Sequence, residues 1–190
     1  MEVPQMASSI IRVIENREAK KEEWAKEERR IRQRAMDYAL LFACRGGDWR
    51  TAQFTIQKLG ADPNTRASSF LPSLHSSIRY MSANKMDIEI HKKCVEILLD
   101  AKADVSMRDG EGSTALALAI DKGCIEIVDL LIDRKAAIVD VDAAPCGRNI
   151  FEYVAGKRRS DRHMVDLLRK KFPDLFLDWW TAATAPTVSP

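Results

Sequence analysis

Glycine and proline are scarce in this 190-residue chain, at eight and seven residues. All-β folds built on tight turns need more of both, so helices are expected to dominate. No apolar run approaches the roughly 18–20 residues that a membrane-spanning helix needs. Neither sign of charge prevails, with 30 Lys and Arg against 28 Asp and Glu. A net charge of +2 gives no general pull toward nucleic acid or a membrane surface, and neither is expected as the main partner. Cysteine is limited to Cys44, Cys94, Cys124 and Cys146, with no C-x-x-C pair, and histidine to His75, His91 and His163. That donor set lacks zinc-site spacing, so no metal is expected. Gly110-Glu111-Gly112 lacks the further glycine, preceding strand and lysine of a phosphate loop. No nucleophile elbow or H-E-x-x-H occurs, so neither catalysis nor a cofactor is expected.

What is present argues for a folded chain, since 46% of residues are hydrophobic and 31% charged. The N-terminus, Met1-Glu2-Val3-Pro4-Gln5, has neither a basic nor an apolar signal region. With scattered cysteines, this leads to the expectation of a cytoplasmic protein with reduced, buried thiols. Nuclear and mitochondrial locations stay open. Lys157-Arg158-Arg159 and Arg169-Lys170-Lys171 are spaced like a bipartite import signal, while Glu2, Glu15 and Glu18 count against a presequence.

Residues 1–34 form the first segment, with one helix expected from residue 6. Between Glu15 and Arg34, 14 of 20 residues are charged. Glu22 and Lys26, and Glu28 and Arg32, are i,i+4 pairs with the acid first, an order that supports an isolated helix. A heptad seam through Ile14, Arg17, Lys21, Trp24, Glu28 and Ile31 carries charge at more than one layer, which disfavours a stable two-stranded coil. A solvated helix is the expectation.

Residues 35–172 repeat. Apolar helical patterns begin near Leu40, Leu74, Leu116 and Phe151, at separations of 34, 42 and 35. Second helical patterns end in the tags Gly60-Ala61-Asp62, Lys102-Ala103-Asp104 and Lys135-Ala136-Ala137. The third unit is the clearest. Asp109-Gly110 is a turn pair, Thr114 can cap a short helix, and Gly123 allows a left-handed end. Ile125, Val128, Leu131 and Ile132 mark one face of its second helix. The first unit holds one extra residue in its second helix. The second has about nine inserted near Tyr80–His91, between its helices. The fourth carries a longer basic linker, Lys157–Arg162. One such unit cannot bury its own apolar face, whereas stacked units can.

Asp109, Gly112, Thr114, Leu116, Ala119, Gly123, Leu130 and Leu131 fall in register with a known motif, and the third unit resembles the ankyrin repeat. Ala115 and Ala117 replace that family's Pro and His, while Leu74-His75 keeps the Leu-His pair of the motif in the second unit. The resemblance implies an all-α solenoid of about four helix pairs, a structural role for His75, and a concave face that binds protein. Its variable surface positions fall on Gly110, Glu111, Ser113, Asp121, Lys122 and Arg134 in the third unit. They fall on Arg79 and Tyr80 in the second and on Arg148 and Lys157 in the fourth. Residues 173–190 form an aromatic tail in which Trp179 and Trp180 are candidate partner anchors. The expected function is a non-enzymatic interaction or scaffold module. The alternative is an accessory subunit of a large complex, held by the N-terminal helix and the tryptophan tail.

Overall fold

The structure is a computed structural model that describes residues 3–66, 71–134, 154, 162–174, 176–177 and 181, with side chains in the first stretch at 12 and from 16 onward. Two compact units divide it, residues 1–36 and 37–190. The first unit belongs to α1 (Val3–Gly46), whose 44 residues run on into the second. Its rich mixture of Glu, Lys, Arg and Ala favours helix, and the Glu28–Arg32 (3.1 Å) and Glu27–Arg30 (3.7 Å) pairs form on its surface. Every residue from Asn16 to Arg32 is exposed. No helix among the described residues is long and apolar enough to cross a membrane.

In the second unit, short helices joined by tight turns follow the expected repeat. They are α2 (Trp49–Phe54), α3 (Ser73–Arg79), α4 (Lys85–Asp100), α5 (Ala115–Asp121), α6 (Ile125–Asp133) and α7 (Arg162–Lys171). α3 pairs with α4 and α5 with α6, while α2 packs on α4 and α7 on α6. Among the described residues the β pairing amounts to two isolated bridges, Arg66 with Pro72 and Arg108 with Thr114. The first helix of the fourth pair lies outside the described residues, apart from buried, helical Val154.

Local chemistry sets each boundary. Asp48 caps α2 by accepting from Thr51 N at 3.1 Å, and this bond with the Thr51 hydroxyl holds the carboxyl below its usual range. Thr114 caps α5 as expected, accepting from Ala117 N at 3.3 Å. Gly123 ends that pair's turn at φ +68°. The extra residue of the first repeat becomes a π-helical turn, Thr55–Leu59, in which Gly60 N–H reaches back to Thr55 O.

The nine-residue insertion takes a form that the spacing did not reveal. It extends α4 to 16 residues, against nine in α6. Asn84 caps the added turns by accepting from Asp87 N at 2.7 Å, and the Asp87 carboxylate reaches back to Ser82 N. These turns close over Gly47, where a Cβ would stand 2.7 Å from Ile90 Cγ2.

The core lies between helices. Leu40, Leu74, Ile78, Val95, Leu98, Ile127, Val128 and Leu131 are almost fully buried. Ile127, not Ile125, completes the α6 face, because Ile125 sits half-exposed at the first helical position. α5 is buried on all sides, since α3 and α6 both pack against it. α3 is buried although it reads as polar. Ser73 donates to Pro63 O, Ser77 to Ser73 O, and His75 Nε2–H to Ser113 O at 2.9 Å.

Gly47 combines a φ of +72° with that close contact, whereas Gly123 has a φ of +68° and open space. Gly47→Ala is therefore expected to lower the unfolding free energy by about 2–4 kcal/mol, and Gly123→Ala by about 1 kcal/mol. Urea melts of the two variants check this, and equal losses would contradict the packing role of the insertion.

Candidate functional site

The ends of the first helices stand side by side. Arg45, near the end of α1, places Cζ 4.3 Å from the centroid of the Tyr80 ring at the end of α3, a cation–π contact between the first and second repeats. Lys122, at the end of α5, donates from Nζ to Met81 O at 3.3 Å and so links the third repeat to the second. Tyr80 is 45% exposed in this setting.

Next to this row stands the hairpin that leads into α5. Asp109 organises it, with Oδ1 accepting from Glu111 N (2.9 Å) and Ser113 N (2.8 Å). Arg79 reaches across from α3, placing Nη1 3.4 Å from Asp109 Oδ2 and Nη2 2.8 Å from Glu111 Oε1. These carboxylates raise the pKa of Arg79, Glu111 foremost, so its charge is secure. The Asp109 side chain is buried, while Arg79 and Glu111 face solvent in part.

Five expected residues thus come together: Arg79, Tyr80, Gly110, Glu111 and Lys122. Asp121 is exposed in the last turn of α5 beside Lys122. Ser113 departs from expectation. It is buried, because its amide is bound to Asp109 and its carbonyl accepts from Asp109 N and His75 Nε2. Arg134 lies at the far end of α6 from Lys122, where Nη1 pairs with Asp100 Oδ1. Arg148, Lys157, Trp179 and Trp180 lie outside the described residues. Of the basic pair of clusters, Lys171 bridges Asp129 (2.8 Å) and Asp133 on α6, and Arg169 lies 5.7 Å from the Phe176 ring.

Sequence reasoning missed Arg45, although the 34-residue offset that relates Leu40 to Leu74 also relates Arg45 to Arg79. It missed Tyr38 and Phe42 as well, which are 46% and 67% exposed two turns and one turn before Arg45. Their counterparts in the second repeat, Pro72 and Ser76, are buried, so apolarity alone did not separate the first repeat from the others.

Burial favours the neutral form of the interior thiols and of His75 and His91. Burial pushes the Cys44 and Cys94 thiols up to about 12 and raises that of Cys124, so none is a thiolate at neutral pH. Burial also lowers His75 and His91 below the ordinary histidine value, against the opposing pull of Ser113 and Asp109 on His75 and of Asp87 on His91. Among the described residues no group of three or more His, Cys, Asp or Glu side chains could hold a metal ion.

Residues 40–143 and 80–175 match the family model described as ankyrin repeats (3 copies), and the chain belongs to the ankyrin-repeat family. No curated protein matches the chain. Repeats of this family are general protein–protein interaction modules and are typically non-enzymatic.

Asp109→Ala takes the acceptor from the buried Ser113 amide and the part-buried Glu111 amide and is expected to cost about 2–3 kcal/mol, while Lys122→Ala stays within about 0.5 kcal/mol. Denaturant melts read both, and a neutral Asp109→Ala would contradict its organising role. The histidines add a pH dependence. Their folded pKa values lie below the ordinary 6.5, so below that pH the unfolded chain binds protons that the folded chain refuses. Stability is therefore expected to be level from about pH 8 to 7 and to fall as pH drops below about 6.5, by up to about 1.4 kcal/mol per pH unit for each histidine. Urea midpoints across this range check it. A midpoint that rises on acidification would contradict it.

Proposed function

We propose that the chain is a non-enzymatic interaction module that binds a protein partner through the surface made by the first-helix ends and the hairpin tip, the concave face of the ankyrin stack. Tyr80 is its anchor. The observation that carries this reading is a half-exposed tyrosine fixed under Arg45 in a row with Arg79, Glu111 and Lys122. Aromatic side chains held in place by neighbours contribute much of the energy at protein interfaces. The charged residues around it set orientation and association rate. The buried, protonated thiols and the neutral interior histidines support a binding role over a catalytic one.

The test is a photoreactive phenylalanine analogue placed at Tyr80 and, in a second chain, at exposed Glu126 on α6. Position 80 is expected to crosslink one protein partner and position 126 none. With that partner purified, Tyr80→Ala is expected to weaken binding about tenfold, equivalent to about 1.4 kcal/mol. Capture from position 126 alone, or unchanged affinity of Tyr80→Ala, would overturn the reading.

A further inference from the structure

The first unit holds a surface that the binding site leaves unused. Trp24 is 78% exposed and Ile31 59% exposed, two large apolar side chains seven residues apart on one side of α1. Leaving them in water is unfavourable. The residues on that side run Lys21, Trp24, Glu28, Ile31 and Ala35, flanked by Ala25 and Arg32 on one edge and by Glu27 and Arg34 on the other. Glu22, Glu23, Lys26, Arg29 and Arg30 fall on the opposite side.

The flanking charges are separated along the helix. The acids, Glu27 and Glu28, precede the bases, Arg32 and Arg34. Acid–base pairs at the edges form in either direction, so the charges within the seam decide between them. Parallel pairing of two copies would set Lys21 on Lys21 and Glu28 on Glu28 within the seam, like charges at close range. Antiparallel pairing removes both clashes. It lays Trp24 on the partner's Ala35, a large side chain on a small one, and Ile31 on the methylenes of the partner's Glu28. It then faces Glu27 with the partner's Arg34 and brings Glu28 beside the partner's Arg32. The Glu28–Arg32 pair within each helix is exposed and of little worth, so exchanging it between copies costs little.

We infer that residues 21–35 of two copies of this chain pair as an antiparallel helix dimer through Trp24 and Ile31. The interface is short, so association is weak and concentration-dependent. The test is sedimentation of the full chain, with helix content checked by circular dichroism. At about 100 µM in low salt the weight-average mass is expected to rise above the 21.5 kDa of one chain, and Trp24→Ala is expected to return it to that value. A mass of 21.5 kDa in the parent chain, or a Trp24→Ala chain that still dimerises, overturns the inference.

Charge exchange fixes the direction without touching the apolar residues. Glu27→Arg and Arg34→Glu are each expected to weaken the dimer at least about fivefold, and the double variant E27R/R34E to restore it. Restoration by E27R/R32E instead is the parallel result and overturns it. Lys26→Ala, on the opposite side, is expected to leave the dimer unchanged, and its loss in that variant likewise overturns the assignment of the face.

Discussion

The seam between the second and third repeats carries the constraint on which the rest of the second unit depends. A pair of helices such as α5 and α6 presents more apolar surface than it can cover by itself. α5 solves this by lying between α3 and α6 with all of its first six residues buried. The seam is held in register by polar bonds as well as by packing. His75 reaches forward to the Ser113 carbonyl, and Arg79 to the Asp109 carboxylate. Both groups accepted by Asp109 Oδ1 belong to the hairpin that positions α5. Losing either link takes one bond from a buried acceptor, the Ser113 carbonyl or the Asp109 carboxylate, which keeps its partners inside the hairpin but loses its tie to α3.

This arrangement separates the residues that hold the stack from those that remain for a partner. The hairpin base and the interior of α3 are committed to structure. The C-terminal ends of α1, α3 and α5 and the hairpin tip face outward, and equivalent positions of successive repeats are neighbours there. Arg45 on Tyr80 and Lys122 on Met81 show this side-by-side placement directly. Other bonds repeat along the turns, where Asp37 accepts from Asp62 N and Asn64 accepts from Asp104 N. The rigidity of the surface therefore comes from the same links that build the stack.

Much of this was legible in the sequence. The spacing of Leu40, Leu74 and Leu116 gave the repeat, because large apolar residues at a fixed helix position have one use. The cap at Thr114 and the turn at Gly123 followed from local chemistry that needs no tertiary context. Other features depend on partners far along the chain. Ser73, Ser76 and Ser77 are polar, yet each is buried, since their burial depends on neighbours that hydropathy does not register. The count of the insertion was correct, but its helical form rests on the caps at Asn84 and Asp87. Ser113 and Arg134 were read as surface residues from family positions. The first is drawn inward by Asp109 and His75, whereas the second stays on the surface, paired with Asp100.

Neighbouring repeats share their stability across the seam. Native-state hydrogen exchange of amides in α4 and α6 tests it most directly, measured in the parent chain and in a His75→Ala chain. Coupled repeats lose protection together, so the variant should show equal falls in α4, on its own side of the seam, and in α6, beyond it. A fall confined to α3 and α4, with α6 amides as slow as in the parent chain, would contradict the account.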